Sequence, residues 1–151
     1  MSEDLSALED WAGALLAKLD PREQRKVTQG IARDLRRNQQ RRIAAQRNPD
    51  GTPFAPRKPR QTLRGKQGRI KRQMFTKLRQ ARYLKLQSTA DSIAIGFLGR
   101  AARLARVHQY GLRDRPGQNA PDVRYERREL LGFTPEDLDM IRDSLLDHLT
   151  R

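Results

Sequence analysis

The sequence predicts an α+β fold in a single domain of 151 residues, and three observations lead to this prediction. Apolar residues recur at steps of three and four near both ends of the chain, which is the spacing of amphipathic helices. Two short stretches in the middle alternate apolar and polar residues, which is the period of β-strands. A stretch rich in proline, glycine and basic residues precedes these strands, and this composition favours a long loop.

The first helix is predicted to begin near Ser2 or Ser6. One apolar stripe runs along it, with Trp11 beside the stripe, and consists of Leu5, Leu8, Ala12, Leu15, Leu16 and Leu19. Residues at these steps share one face of a helix, so this face should pack inward.

A second helix is predicted from Asp20, which is typical of an N-cap residue. Pro21 suits the first helical position, where its missing N–H costs nothing, and Glu23 is expected to reach back as a capping box. The apolar side consists of Val27, Ile31, Leu35 and Ile43, and the bases elsewhere on the helix and just after it include Arg36, Arg37, Arg41, Arg42 and Arg47. Residues 48–51, Asn-Pro-Asp-Gly, predict a turn after it.

Residues 52–69 are predicted to form a long basic loop. They contain three prolines, two glycines and six bases, and their only large apolar residues are Phe54 and Leu63. No regular element can bury itself with so few apolar residues. A short amphipathic helix is then predicted over residues 70–81, with the apolar positions Ile70, Met74, Phe75 and Leu78.

A β-hairpin and a helix follow. Residues 83–87 and 92–97 alternate as strands do, and a polar stretch separates them. Residues 100–110 then have a helical spacing at Ala101, Leu104, Ala105 and His108. Gly111 is expected to end this helix as a left-handed C-cap.

The C-terminal part begins with a predicted loop over residues 113–121. Residues 123–125 are a candidate third strand, and residues 130–133 are either a short buried segment or a fourth strand. Thr134 and Pro135 predict the start of the last helix. Its apolar stripe consists of Leu138, Ile141, Leu145 and Leu149.

One domain, residues 1–151, is therefore expected. Its parts are the N-terminal helices (1–47), the basic loop (48–69), a core of helix, hairpin and sheet (70–133) and the C-terminal helix (134–151). Only 36% of the residues are hydrophobic and 33% are charged, so the core is thin. A thin core with a large charge of one sign favours an oligomer whose subunits cover one another over local disorder.

The net charge of +14 is concentrated in the middle of the chain. Residues 1–24 and residues 129–151 each hold six acids and two bases, whereas residues 25–128 hold twenty-eight bases and six acids. Such a field attracts DNA, RNA or an acidic protein surface, and binding to a nucleic acid would depend strongly on salt.

Composition argues against several classes of function. The chain has no cysteine and only two histidines, and it lacks a Gly-rich phosphate loop or a G-x-S-x-G turn, so no catalytic or metal motif can be assembled. We expect no enzymatic activity, no cofactor and no metal. For His108 a structural role at the helix end, or a hydrogen bond across an interface, is preferred to catalysis. For His148 a role at the negative helix end is preferred. No apolar run is long enough for a membrane span, and the N-terminus has no secretion signal.

The best functional candidate in the residues themselves is the stretch 57–72, which we call the basic segment. It carries eight bases and no acid: Arg57, Lys58, Arg60, Arg64, Lys66, Arg69, Lys71 and Arg72. The alternatives are a contact with a polyanion or an acidic protein, and a merely solvated loop. With only eight aromatic residues in the chain, any nucleic-acid contacts should be to phosphates and not to bases.

Two blocks of sequence resemble the phage virion morphogenesis family, the tail completion proteins of contractile-tailed phages. They are residues 93–114, IAIGFLGRAARLARVHQYGLRD, and residues 125–137, YERRELLGFTPED. The similarity extends to residues 48–54 and 74–79, and so covers nearly the whole chain. The family often has proline after the tyrosine of the second block, where this chain has Glu126. That difference concerns only the local turn.

This resemblance implies a structural role in virion assembly. More distantly, the order of elements resembles tail-completion and head–tail connector proteins, which are α+β and form rings at the top of the tail. It implies a sixfold homo-oligomeric ring in the virion, at the tail or neck, assembled in the bacterial cytoplasm near the end of the packaged double-stranded DNA. The implied partners are tail tube, tail terminator, portal and neck adaptor proteins. The motif residues with an assembly or structural role are Arg106, His108, Tyr110, Gly111, Tyr125, Arg127, Leu130, Leu131 and Gly132.

Two other classes of function were weighed against this one. A non-sequence-specific nucleic-acid-binding protein would explain the charge equally well, but a regulator would show a recognition helix in a compact helical domain. A nuclease or a lysozyme-like enzyme would need clustered carboxylates, and the acids here lie mainly on the terminal helices. The structural ring protein is therefore preferred.

Overall fold

A computed structural model of the protein describes residues 2–56, 73–115 and 118–149, and its architecture is α+β, as predicted. The basic segment lies outside the described residues. In chain order the elements are α1 (Ser2–Leu16), α2 (Pro21–Ala44), β1 (Leu84–Ser88), β2 (Ile93–Phe97), α3 (Arg100–Tyr110), β3 (Arg113–Asp114), β4 (Val123–Arg124) and α4 (Pro135–Leu149).

The described residues group into two compact units. Unit 1 takes its residues from Met1–Asn38, Lys85–Gly96 and Phe133–Arg151, and unit 2 takes its residues from Gln39–Leu84 and Phe97–Gly132. The long helix α2 contributes to both. The single-domain organisation stays a prediction.

Unit 1 is built on helical stripes. Helices α1 and α4 pack against each other, and the buried cluster consists of Val27, Ile31 and Leu35 of α2 with Leu145 of α4. The inward faces predicted for α2 and α4 are confirmed. Ile93 and Ile95, on alternate positions of β2, pack against the same cluster.

Two helices of unit 1 begin as the sequence predicts. The Glu23 N–H donates to Asp20 Oδ1 over 2.9 Å. At α4 the Asp137 N–H donates to Thr134 Oγ1, and the Thr134 N–H donates to Asp137 Oδ2, each over 3.0 Å. This reciprocal pair is a capping box. The capping role predicted for the Glu23 side chain is wrong, because its carboxylate lies instead 3.0 Å from His148 Nε2 in the last turn of α4.

The buried cluster of unit 2 draws on every segment of that unit. It consists of Ile43, Phe54, Met74, Leu78, Ala101, Ala105 and Leu130. The helix predicted over residues 70–81 is not observed in its described part, since residues 73–83 contain only turns and bends. Phe75 has a φ of 67°, and a left-handed residue cannot continue a right-handed helix.

The hairpin of β1 and β2 is confirmed within one residue of its predicted bounds. Its turn is closed by a bond of 2.8 Å from the Thr89 N–H to the Ser92 carbonyl. The prediction of a single central sheet is wrong, because the described strands form two separate two-stranded sheets. The second sheet pairs Arg113 with Arg124 and Asp114 with Val123, antiparallel. Residues 113–114, predicted as loop, are therefore strand, and two-residue strands are too short to leave a period in the sequence.

Within the described parts of the chain, none of the helices has the length and apolar character that crossing a membrane would require.

Candidate assembly site

Most of the two sequence blocks that carry the resemblance, residues 97–114 and 125–132, lies in unit 2, where the two stretches contact each other. Helix α3 ends at Gly111, which adopts φ 64° and ψ 51°, the left-handed C-cap that was predicted. A Cβ at this position would lie 3.3 Å from the Arg127 nitrogen and from the Tyr125 carbonyl oxygen. Glycine is needed here for the left-handed backbone and for this close approach.

His108 links the two blocks from the inside. Only 8% of the residue is exposed, and its ring makes edge contacts with Phe75 at 4.7 Å and with Tyr125 at 5.0 Å between centroids. Its carbonyl accepts the Arg128 N–H over 2.7 Å. Its Nδ1 lies 3.2 Å from Arg128 Nη1 and must accept, since a guanidinium can only donate. These contacts support the structural role that was preferred for His108.

Arg128 is buried and holds the chain just before the basic segment. Its Nε donates to the Ala55 carbonyl over 2.8 Å and its Nη2 donates to the Pro56 carbonyl over 3.0 Å. On the other side of the basic segment, the Gln46 side chain makes two bonds with the backbone of Met74, of 2.8 and 2.9 Å. Both flanks of the basic segment are therefore fixed to the motif-bearing unit.

Residues 128–132, which we call the clamped segment, form no strand and are held by side chains. Gln109 Oε1 accepts the N–H groups of Leu130 and Leu131, and Gln109 Nε2 donates to the Leu131 carbonyl, with distances of 2.8 to 2.9 Å. Leu130 is completely buried. Of the two predictions for residues 130–133, the fourth strand is wrong, and the buried segment is confirmed at Leu130, while residues 131–133 are half-buried.

Helix α2 supplies the other half of the clamp. Gln39 Nε2 donates to the Gly132 carbonyl over 2.8 Å. Arg42 donates to the carbonyls of Glu129 and Leu130 over 2.8 and 2.6 Å. Because backbone groups need partners when buried, these side chains replace the ladder that a strand would supply.

The predicted motif residues thus divide by exposure. His108 and Leu130 are buried, and Gly111, Tyr125, Leu131 and Gly132 are half-buried. Arg106, Tyr110 and Arg127 are exposed, Tyr110 by 64%, and Arg127 pairs with Glu129 over 2.9 Å. The buried members hold the motif together, and only the exposed members are available to a partner.

Four residues of this site were missed by the sequence reasoning. They are the clamp residues Gln39, Arg42 and Gln109, and Arg128, which binds the carbonyls of Ala55 and Pro56. One signal was present, because the apolar stripe of α2 recurs every four residues at positions 27, 31, 35 and 43, and Gln39 occupies the missing step. A polar residue at a buried helical position is expected to be hydrogen-bonded. Arg42 and Arg128 carried no such signal, since they were indistinguishable from the surface bases.

The described residues contain no cluster of three or more histidine, cysteine or acidic side chains that could hold a metal ion. The predicted absence of enzymatic activity stays a prediction.

Comparison with known proteins identifies the family. The model of the phage virion morphogenesis family matches residues 3–150. The chain belongs to this family. It is 40% identical over 149 residues to the tail completion protein S of Escherichia phage P2, and the alignment covers 98% of this chain and 99% of that protein. No solved structure matches the chain.

Proposed function

We propose that this protein completes the phage tail and helps to join the tail to the head at the neck. The observation that carries this proposal is the similarity over nearly the full length to a relative named for tail completion. A role in phage tail assembly agrees with the family membership. The protein is then a structural component of the virion, and the expected activity is assembly and not catalysis.

The acting form in this proposal is a sixfold ring that contacts tail tube, tail terminator, portal or neck adaptor proteins. Two observations support an oligomer. Only 36% of the residues are hydrophobic, and large apolar side chains such as Leu98 and Tyr110 are exposed. Exposed apolar groups of this size are typical of protein contact surfaces.

The basic segment is proposed to face the path of the DNA or an acidic partner surface in the junction. Its eight bases repel one another without an acid between them, so a polyanion would be attracted to it. The bonds from Arg128 and Gln46 to its flanks support this proposal, because they would hold such a segment at a defined place on unit 2.

A non-sequence-specific nucleic-acid-binding protein remains the alternative, because the excess of bases in residues 25–128 favours it equally. A gel-shift assay with random duplex DNA tests it. If this alternative holds, the purified protein should bind such DNA as a monomer, with an affinity that falls linearly on a log–log plot against salt concentration.

The main proposal is tested in a phage whose gene for this protein carries a nonsense mutation. Electron microscopy of lysates then counts free heads, free tails and joined particles, with and without the protein supplied from a plasmid. We expect free heads and unfinished tails without the protein, and joined particles when it is supplied. Normal numbers of joined, infectious particles in its absence would overturn the proposal.

The basic segment is tested separately in the same assay. Replacing Arg57, Lys58, Arg60 and Arg64 with serine should leave the unfolding midpoint nearly unchanged and lower the yield of joined particles. A normal yield would show that the segment is a solvated surface. Loss of folding would show that it is structural. A control replaces two exposed bases elsewhere, Lys77 and Lys85, with serine and should leave the yield unchanged.

A further inference from the structure

Six large apolar side chains in the described parts of the chain are exposed, and they lie in two groups. Leu98, Leu104, Tyr110 and Leu112 lie on or directly beside α3. Trp11 lies on α1 and Leu146 lies on α4. Since α1 and α4 pack against each other, the second group belongs to one pair of helices.

The surface around the first group is basic. Arg100, Arg103 and Arg106 are exposed and recur at steps of three along α3, and Arg106 lies four residues before Tyr110. Positions at these steps share a face of the helix. Arg103 is paired with Asp114 over 2.5 Å. We call this group of arginines and apolar side chains the α3 surface.

The surface around the second group is acidic. Glu136, Asp139 and Asp143 are exposed on α4 at steps of three and four that lead to Leu146. Asp139 is paired with Arg142, an exposed base of the same helix, over 3.1 Å. Glu9 and Asp10 are exposed on α1 next to Trp11. We call this group the α1/α4 surface. Each surface therefore combines large apolar side chains with charged residues that are mostly of one sign. The α3 surface is mostly positive and the α1/α4 surface is mostly negative.

We propose that the α3 surface of one copy of the protein binds the α1/α4 surface of the next copy. Charge complementarity selects this occupant, because the chain itself presents both an apolar basic surface and an apolar acidic one. Arginine and aromatic residues are enriched in protein interfaces. The proposal deepens the proposed function and rests on it, since a contact between two different surfaces of identical copies generates a ring when its rotation closes.

Duplex DNA is a poorer occupant of the α3 surface. Phosphates would neutralise its arginines, but four large apolar side chains would stay in contact with water. Binding of a protein surface removes both the charge repulsion and the apolar exposure. DNA binding at this surface is accordingly one of the outcomes that the experiment separates.

The test uses two charge-reversed variants of the full chain and sedimentation velocity at low ionic strength. The first carries Arg100→Glu with Arg106→Glu, and the second carries Asp139→Lys with Asp143→Lys. Each variant alone places like charges on both surfaces, so self-association should weaken by about 100-fold or more. An equimolar mixture should associate again, because the native acidic surface of the first variant meets the native basic surface of the second.

A control with the same change in charge separates this contact from a general effect. Lys77→Glu with Lys85→Glu removes two exposed bases outside α3 and should not weaken the association. If a charge-reversed variant does not fold, as judged by circular dichroism, Tyr110→Ser and Leu146→Ser replace it and should each weaken association by about tenfold or more.

Several results would overturn the proposal. They are a wild-type protein that stays monomeric, variants that associate like the wild type, and a mixture that does not recover. Loss of DNA binding without loss of association in the first variant would assign the α3 surface to DNA.

The particle-joining assay distinguishes a failure of this contact from a failure of the proposed function. If only this contact is wrong, both variants still restore joined particles, whereas an incorrect proposed function means that joining does not need the protein at all.

Discussion

Units 1 and 2 bury similar kinds of residues but stabilise their backbone in different ways. In unit 1 the buried residues Val27, Ile31, Leu35 and Leu145 come from helices, whose backbone groups are satisfied within the helix. In unit 2 the clamped segment has no ladder, and side chains from α2 and α3 bind its N–H and carbonyl groups. The clamped segment, which lies within the second resemblance block, belongs to the second kind of structure.

This difference determines where substitutions should be costly. In unit 1 a substitution lowers stability by disturbing apolar contacts, so placing a charge in the buried cluster should cause the largest loss. In unit 2 polar side chains such as Gln109 carry backbone bonds, and glycines allow close approach, so changes that look conservative should also be costly. Each prediction below tests one side of the comparison.

The largest effect is expected in unit 1 for Leu145→Asp. Leu145 is 2% exposed, and an unpaired carboxylate among Val27, Ile31 and Leu35 should lower the free energy of unfolding by about 4 kcal/mol. Urea denaturation measures this loss in the free energy of unfolding. Ala7→Asp, at an exposed position near the start of α1, is the control and should change stability by no more than about 0.5 kcal/mol. Similar losses for both variants would contradict the apolar cluster.

In unit 2, Gln109→Leu should cost about 3 kcal/mol, because it leaves two N–H groups and one carbonyl of the clamped segment without their partner. Gln109→Glu is the matched control. It keeps the acceptor for the Leu130 and Leu131 N–H groups but turns the donor to the Leu131 carbonyl into a second acceptor, so its loss should be smaller than that of Gln109→Leu. Thermal and urea unfolding of both variants make the comparison, and equal losses would show that shape matters here and hydrogen bonding does not.

The close approach in unit 2 is tested by Gly132→Ala. A methyl group there would overlap the Pro49 ring and lie 3.0 Å from Pro49 Cβ. Pro49 lies in a turn closed by the Gly51 N–H bond to the Asn48 carbonyl, so it cannot move easily, and we expect a loss of about 2 kcal/mol.

Gly30→Ala in α2 is the control for this substitution. Nothing lies within 4 Å of the added methyl group. Alanine is favoured over glycine in a helix by about 0.5–1 kcal/mol, so this variant should be more stable than the wild type. The two glycine variants should move the urea midpoint in opposite directions. A shift in the same direction would mean that the overlap with Pro49 is relieved at little cost.

The smallest effect is a pH dependence at the second sheet. The hydrogen bond from Arg103 holds the pKa of Asp114 below the usual aspartate value of 3.8. A carboxyl whose pKa is lower in the folded protein stabilises it above the unfolded pKa, and this contribution is lost as the pH falls through the folded pKa. NMR titration should show the Asp114 midpoint moving up in Arg103→Gln. An unchanged midpoint would show that the pair does not form in solution.

Most of unit 1 could be predicted from the sequence, whereas unit 2 could be predicted only in part. The helix starts at Asp20 and Thr134 depend on local hydrogen bonds, and the stripes depend on a period of 3.6 residues. The predicted helix over residues 70–81 failed because its apolar spacing was helical but the backbone at Phe75 is left-handed. The two-residue strand β3 was missed because a pairing so short is decided by the partner and not by the local sequence, whereas β4 lies within the candidate strand predicted over residues 123–125.

For the candidate site, the sequence indicated the motif but not the roles of its members. His108, Gly111 and Leu130 were singled out, and the structure brings them together in unit 2. Gln39, Arg42, Gln109 and Arg128 were missed. A guanidinium bound to carbonyls has the same sequence signature as a solvated one, and the step that Gln39 fills in the α2 stripe was not recognised as a buried polar position.

The sequence by itself determined the family, the α+β class, the helical stripes and the concentration of positive charge between two acidic ends. These properties depend on residue identity and on short-range spacing. Only the tertiary structure decided which polar residues are buried, how the two motif blocks meet, and which arginines and apolar side chains stay exposed on α3. Those properties depend on contacts between residues far apart in the chain, as when Gln39 binds Gly132, and burial determines whether the same side chain holds the backbone or faces a partner.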